Sequence, residues 1–282
     1  MSVLKFRPEI WSPLLLVALR KALVYSAFIN RDYEGEIKEA GDTVRITSVG
    51  RPTISNYVPN VTKIVAEQIA DSQRTLVVDQ SKMFAVAIDD VDARQAKGGV
   101  LQQTIDEAAF GFADVVDQYI ASFYTSIQAA NQLGSITVSQ ATPNDAYDKV
   151  LVPLRTRLTQ ASVPTQGRTV AVTPDLYGCL LRDSRFVKVN ESGTTDGLRN
   201  GLVGRAAGFD IVESNNAPNT TGNEFATIAG SNRAITFAEQ INKTEAYRPQ
   251  DSFADAVKGL ILFGGKNVRP DSLASALVTV TA

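Results

Sequence analysis

Three carboxylates fall within four positions, at Asp89, Asp90 and Asp92. Carboxylates this close together could hold a hard divalent cation or share acid–base work. A local reading competes with that one. A helical stretch follows, and negative charge is favourable at the start of a helix. No histidine occurs in the 282 residues, which removes histidine-based triads and histidine metal sites. Cys179 stands alone, so no internal disulfide can form, as suits a reducing compartment. Gly264-Gly265-Lys266 resembles the end of a phosphate-binding loop. Position 260 is Leu and position 267 is Asn, where that pattern requires Gly and then Ser or Thr. The pair reads instead as a hairpin turn. No catalytic residue, cofactor or metal is predicted, and a metal-dependent enzyme built on Asp89, Asp90 and Asp92 is the last of the alternatives.

The composition is that of an ordinary globular chain, 44% hydrophobic and 21% charged, with a formal charge of -2. Gripping nucleic acid by counterion release needs a local excess of Lys and Arg, and no such run appears. The apolar run Leu14–Leu19 is far short of the ~20 residues that span a bilayer. Glu9 interrupts its approach and Arg20 and Lys21 close it, unlike a secretory signal. These features predict a soluble cytoplasmic protein without a membrane partner.

The elements that would position any site are unevenly built. Residues from Pro8 to about Phe28 read as a helical arm, with Ser12 as cap and Pro13 in the first turn. The arm is apolar around most of its circumference and must be covered on several sides. Thr43–Val49 alternates like a strand, and Arg74–Val78 is its return leg. Between Arg31 and Arg74 lie six basic and seven acidic residues, interspersed. A two-stranded ribbon of this kind is marginal alone. It either folds back on its own domain or lies on an adjacent subunit. Met83–Asp89 alternates again, with Phe84, Val86 and Ile88 on one face.

A helix is predicted from about 99 to 130, on the stripe Leu101, Ile105, Ala108, Phe112, Val115, Tyr119, Phe123 and Ile127. Asp106, Glu107, Asp114, Asp117 and Gln118 sit off that stripe. Asn131–Thr142 reads as a polar link. Beyond it come a helix from Thr142-Pro143 with a kink or late start at Pro153, a strand at Thr169–Val172, a helix from Pro174, and strands at Phe209–Val212 and Phe225–Ile228. Glu191–Asn200 reads as a mobile loop. Ala234–Phe237, Leu260–Phe263 and Ala276–Val280 are the final strands. The fold class is α+β.

This order of parts, with several local phrases, resembles the tailed-bacteriophage major capsid protein family. The phrases are Pro8-Glu9-Ile10-Trp11-Ser12, Asp32-Tyr33-Glu34-Gly35, Gly41-Asp42-Thr43-Val44, the run from Val78 to Asp92, Val163-Pro164, Val170–Pro174, Gly208-Phe209, Ser214-Asn215 and Arg269-Pro270. The resemblance implies an N-terminal arm (1–30) and an extended hairpin loop (31–82). It implies a peripheral domain (83–141 and 232–282) with a spine helix at 99–130, and an axial domain (142–231). It further implies self-assembly into pentamers and hexamers of an icosahedral virion capsid, assembled in the host cytoplasm around double-stranded DNA that is enclosed without sequence-specific binding. A scaffolding protein and a portal are implied partners. Trp11, Leu15 and Leu19 of the arm, with Arg45, Arg51, Lys63 and Arg74 of the hairpin, are the expected contacts between subunits. An encapsulin-type nanocompartment shell is the alternative of the same fold.

Overall fold

Two sheets joined by three chain crossings carry the fold. A computed structural model describes residues 23–32, 43–49, 54, 56, 71–89, 100–187, 204–248 and 254–281. The first sheet has the order β1 (Ile29–Asn30), β11 (Ile235–Tyr247), β12 (Ala254–Asn267), β4 (Gln80–Asp89). The second has the order β5 (Gln132–Ser139), β13 (Leu273–Thr281), β10 (Glu224–Ser231), β6 (Arg168–Val172), β8 (Phe209–Glu213), β7 (Arg205–Ala206), and β9 (Asn219–Thr221) also pairs with β10. β2 (Thr43–Val49) and β3 (Asp71–Val77) form an antiparallel ribbon of their own. Residues 132–139 and 273–281 belong with 168–172 and 224–231, not with the sheet of β4, β11 and β12.

The long helix α1 spans Val100–Ala121, about 33 Å, and is shorter than expected. The chain then tightens into 3-10 turns at Ser122–Ser126 and Ala129–Asn131. Apolar residues continue at helical spacing through Phe123 and Ile127, so periodicity overran the true end. The buried stripe is Ala109, Phe112, Ala113, Val116, Ile120 and Ala121. It packs on one face of the first sheet, against Phe237, Ile261 and Phe263. Phe84 meets Phe112 edge to face at 5.4 Å. Burying each such ring contributes about 1.5–3 kcal/mol.

The opposite face of the same sheet is covered by the ribbon. Ile46, Leu76 and Val78 are buried against Ala238 and Leu262. The base of the hairpin therefore lies on its own subunit. Its apolar face, alternating at 46, 76 and 78, has no other place to be dry.

Gly264-Gly265 lies inside β12 and is no turn. Successive residues of a strand point to opposite faces, so each glycine serves a different layer. A Cβ at Gly264 would meet the ribbon backbone, with Val78 Cα at 2.7 Å. A Cβ at Gly265 would press on Phe123 and Tyr119 of the helical layer, at 3.1 and 3.3 Å. The pair lets helix and ribbon close on the sheet from both sides at one level.

The second sheet is flanked by α2 (Val152–Gln160) and α3 (Pro174–Arg182), with Leu154, Leu158, Leu176 and Leu180 buried against Val170, Val172 and Phe209. The helix from Thr142-Pro143 does not wait for Pro153: helical backbone runs from about 144 to 160, through a π turn at Ala146–Leu151 directly before α2. The link expected at Asn131–Thr142 contains strand β5. Its alternation is hidden by a bulge, where Leu133 and Gly134 stand against Ala276. Gly134 has a positive φ of 73° there. Arg168 is 2% exposed and donates to Pro164 O at 2.9 Å, Val163 O at 2.7 Å and Thr159 Oγ1 at 3.0 Å. It thereby fastens the turn after α2 to β6.

Gly264→Ala should destabilise the isolated subunit by about 1–3 kcal/mol, because backbone cannot move aside as a side chain can. Gly178→Ala, in α3 with nothing within 4 Å of the new methyl, serves as the control and should be neutral or stabilising. Urea unfolding of both variants measures this.

Candidate assembly site: the roots of the arm and the hairpin

An extended segment can reach a neighbour only if its root is fixed. The arm root, residues 23–32, is tied to the subunit in three ways. The Asp117 carboxylate accepts hydrogen bonds from the backbone N–H of Val24 at 3.0 Å and of Tyr25 at 3.1 Å. Those amides open the 3-10 turn Tyr25–Phe28, so Asp117 caps it from across the chain. Ile29 and Asn30 then pair in parallel with Ile235 and Thr236. Arg31 forms an ion pair with the buried Glu239 and lies over the Phe237 ring, 5.6 Å from its centre. The end of the predicted helical arm is thus a 3-10 turn and a short strand, with Tyr25 and Phe28 in the subunit core.

Asp117 was expected off the buried stripe, yet it is 2% exposed. Burial pushes its carboxyl up to about 6, while the two backbone donors pull the other way. Burial, with the Asp117 charge beside it, holds the Tyr25 phenol well above its ordinary value. A signal was present in the sequence. Asp117 directly follows Val116, within a helix that buries Ala113 and Ile120 one turn to either side.

The hairpin root is fixed by the ribbon's packing and by Arg74, whose Nη1 donates to Asn267 O at 2.9 Å. Asn267 in turn belongs to the waist, where the chain crosses between the sheets at 127–132, 231–235 and 267–273. At 127–131, 232–234 and 268–272 the chain runs outside the ladders, so its polar groups need other partners. Asn131, 4% exposed, donates through Nδ2 to Asp271 O at 2.8 Å and Leu273 O at 3.0 Å. Asn267 Nδ2 donates to Ser126 O at 3.2 Å and Ser126 Oγ at 3.0 Å. Ala234 O accepts from Val268 N at 2.9 Å and Arg269 N at 3.1 Å, and Gln128 N donates to Pro270 O at 3.2 Å. At Gly230, near the end of β10 and opposite Leu273, a Cβ would stand 2.7 Å from Ser272 O, so the strand end and the third crossing lie close together.

A further anchor lies just before residue 188. Arg185 forks onto the buried Asp183 at 2.7 Å, reaches Asp148 at 2.8 Å and stacks 4.6 Å over Tyr147. The hydrogen bonds it donates to Asp183 and Asp148 raise its pKa further. The loop predicted at Glu191–Asn200 lies outside the described residues.

Of the residues predicted to contact neighbours, Trp11, Leu15, Leu19, Arg51 and Lys63 lie outside the described residues. Arg45 stands opposite Thr75 on the ribbon, and Arg74 is engaged within its own subunit. Asp89 ends β4 opposite Ala254, and Asp90 and Asp92 lie outside the described residues. Among the described residues no group of carboxylates or thiols is arranged to hold a metal ion, and no helix is long and apolar enough to cross a membrane.

Asn131→Leu keeps the volume but removes both donors, leaving two buried carbonyls short of a partner. We expect a loss of about 1–3 kcal/mol in urea unfolding. Asp117 carries a pH signature. The folded chain holds its proton more tightly than the unfolded chain does. Its contribution is therefore fully present below the ordinary carboxylate range and is lost as pH rises through about 6. The stability of the native protein relative to Asp117→Asn should fall as pH is raised from about 4 to 7. A difference independent of pH would contradict a buried carboxylate.

The sequence matches the phage capsid protein family over residues 71–276. A solved chain from Mycobacterium phage Che8 is 31% identical, with 90% of each chain covered and a TM-score of 0.74. A capsid chain of the cyanophage P-SCSP1u is 17% identical, with 87% of this chain and 85% of that one covered, at a TM-score of 0.69. A chain of the bacteriophage PhiM1 mature capsid is 17% identical, with 84% and 82% covered, at a TM-score of 0.62. These last two share the fold. Comparison with curated proteins finds no match. The family builds shells and is not one of enzymes. This chain belongs to the phage capsid protein family: it is a major capsid protein, whose copies assemble into the icosahedral shell of the virion.

Proposed function

We propose that this subunit forms the pentamers and hexamers of a phage head that encloses double-stranded DNA without reading its sequence. The observation that carries this reading is the 31% identity to the Che8 chain across 90% of both chains. A scaffolding protein guides assembly in the host cytoplasm, and a portal occupies one vertex. The body around β6, β8 and β10 supplies the axial domain. The body around α1, β11 and β12 supplies the peripheral domain. From its fixed root the hairpin reaches an adjacent subunit through Arg45, Arg51 and Lys63, with its mixed charges meeting partners there. Trp11, Leu15 and Leu19 of the arm are covered in part by a neighbour. Heterologous contacts of this kind close into rings by rotation, and many weak ones become strong by valency.

The shell of an encapsulin-type nanocompartment is the runner-up. The virus-like particle from Pyrococcus furiosus shares the fold at a TM-score of 0.56, but at only 13% identity. Mass spectrometry of purified shells separates the two readings, since a nanocompartment would carry an enzyme cargo.

Arg51→Glu and Lys63→Glu should leave the subunit folded while lowering the yield or stability of shells seen by negative-stain electron microscopy. Loss of subunit folding in either variant would place those residues in the core. Only monodisperse monomers from the native protein with its scaffold would end the capsid reading.

A further inference from the structure

Two helices carry opposite charge on their outward faces. On α1, Glu107, Phe110, Gly111 and Asp114 share one outward stripe at three- and four-residue steps. Phe110 is 64% exposed. Gly111 has nothing within 4 Å of where its Cβ would stand, and glycine in mid-helix weakens a helix relative to alanine. No Lys or Arg occurs from Gly98 through Asp148. The Asp114 charge adds to the upward push on the buried Asp117, whose donors are two backbone amides and no cation.

α2 is the counterpart. No Asp or Glu occurs from Lys149 through Thr173. Arg155 and Arg157 are exposed on the two flanks of its outward face, and among the described residues neither guanidinium has a carboxylate partner. Val152 lies between them around the helix, 37% exposed. Arg168 is buried close by, and every acceptor it reaches is neutral: Pro164 O, Val163 O, Arg155 O and Thr159 Oγ1. Burial and the Arg155 charge lower its pKa. A buried cation with neutral partners, beside two exposed ones, makes this face electropositive.

Within one subunit both faces stand open, so they do not cover each other. α1 against α1 of a second copy would set acid against acid, and α2 against α2 would set base against base. DNA phosphate would answer α2 alone and would leave the exposed ring and carboxylates of α1 unaccounted for. We propose that α1 of one subunit docks on α2 of a neighbouring copy, with Glu107 and Asp114 toward Arg155 and Arg157 and the Phe110 ring on Val152. Gly111 lets the two axes approach to about 8–10 Å. Residues 107–114 cover about 10 Å of axis and 152–157 about 8 Å, so the two stretches match in length. The contact is heterologous, and such contacts close into rings by rotation. It rests on the capsid reading above and names one surface by which the copies meet.

Charge reversal tests this in shells of the protein expressed with its scaffold. Glu107→Arg with Asp114→Arg, and separately Arg155→Glu with Arg157→Glu, should each lower the yield of shells roughly ten-fold, with the subunit still folded in urea unfolding. All four substitutions together exchange the signs and restore the match, so the yield should return to within roughly three-fold of native. Phe110→Ala keeps every charge and removes a ring the subunit already exposes; it should lower the yield roughly three-fold. Unchanged yield in Phe110→Ala or in either reversal would overturn the contact. So would a loss that the fourfold variant fails to repair. A loss confined to the α2 reversal would assign that face to another anion, such as DNA phosphate, and overturn it as well. Native protein that forms no shells would instead end the capsid reading, and this contact with it.

Discussion

Three stretches of chain pass between two sheets through one small region, and between the ladder ends their polar groups need partners from outside the sheets. That constraint organises the subunit. Backbone hydrogen bonds between the crossings, with two buried asparagine amides, Asn131 and Asn267, tie these stretches together. An asparagine amide can donate twice from a short side chain, which suits it to tying crossings that lie close together. Gly230, near the end of β10, stands close beside Ser272 of the third crossing. A larger or apolar residue at any of these points would part the crossings or leave carbonyls dry and unpaired.

The described roots at 23–32 and 71–78 take their geometry from the same place. Arg74 ties the ribbon to Asn267, and Asn267 is a member of the waist. Asp117 and Glu239 tie the arm root to the helix and the sheet that the waist joins. Helix, sheet and ribbon form three layers around β12. Gly264 and Gly265 remove the side chains that would hold the layers apart. A shell subunit needs this combination. Segments that reach for neighbours gain direction only if the body they leave is fixed.

Much of this was legible in the residues themselves. Thr43–Val49 matches β2, because its alternation is uninterrupted and bounded by Gly41-Asp42 and Gly50. Thr169–Val172 and the helix from Pro174 were equally plain, with Thr173 capping the amide of Leu176 at 3.4 Å. What was missed depends on tertiary partners. The helix was extended past Ala121 because Phe123 and Ile127 keep the spacing after the backbone has tightened. β5 was taken for a link because the bulge at Leu133-Gly134 breaks its period. Gly264-Gly265 looked like a turn because a strand interior with layers pressing from both sides has the same local signature. Asp117 was placed outside because a carboxylate is normally wet, and its two partners lie more than ninety positions away in sequence. Of the two readings the ribbon's sequence allows, its root takes the first, packing on its own sheet.

The absence of histidine and the lone buried Cys179 fit a chain whose chemistry is contact and not turnover. Cryo-electron microscopy of shells assembled from this chain gives the most direct test of the account. The prediction is a density in which residues 23–32 sit on Asp117 and β11 of their own subunit. The ribbon base at Ile46, Leu76 and Val78 should likewise cover its own Ala238 and Leu262, with only the parts beyond these roots crossing to neighbours. A map that traced either root onto an adjacent subunit would contradict it.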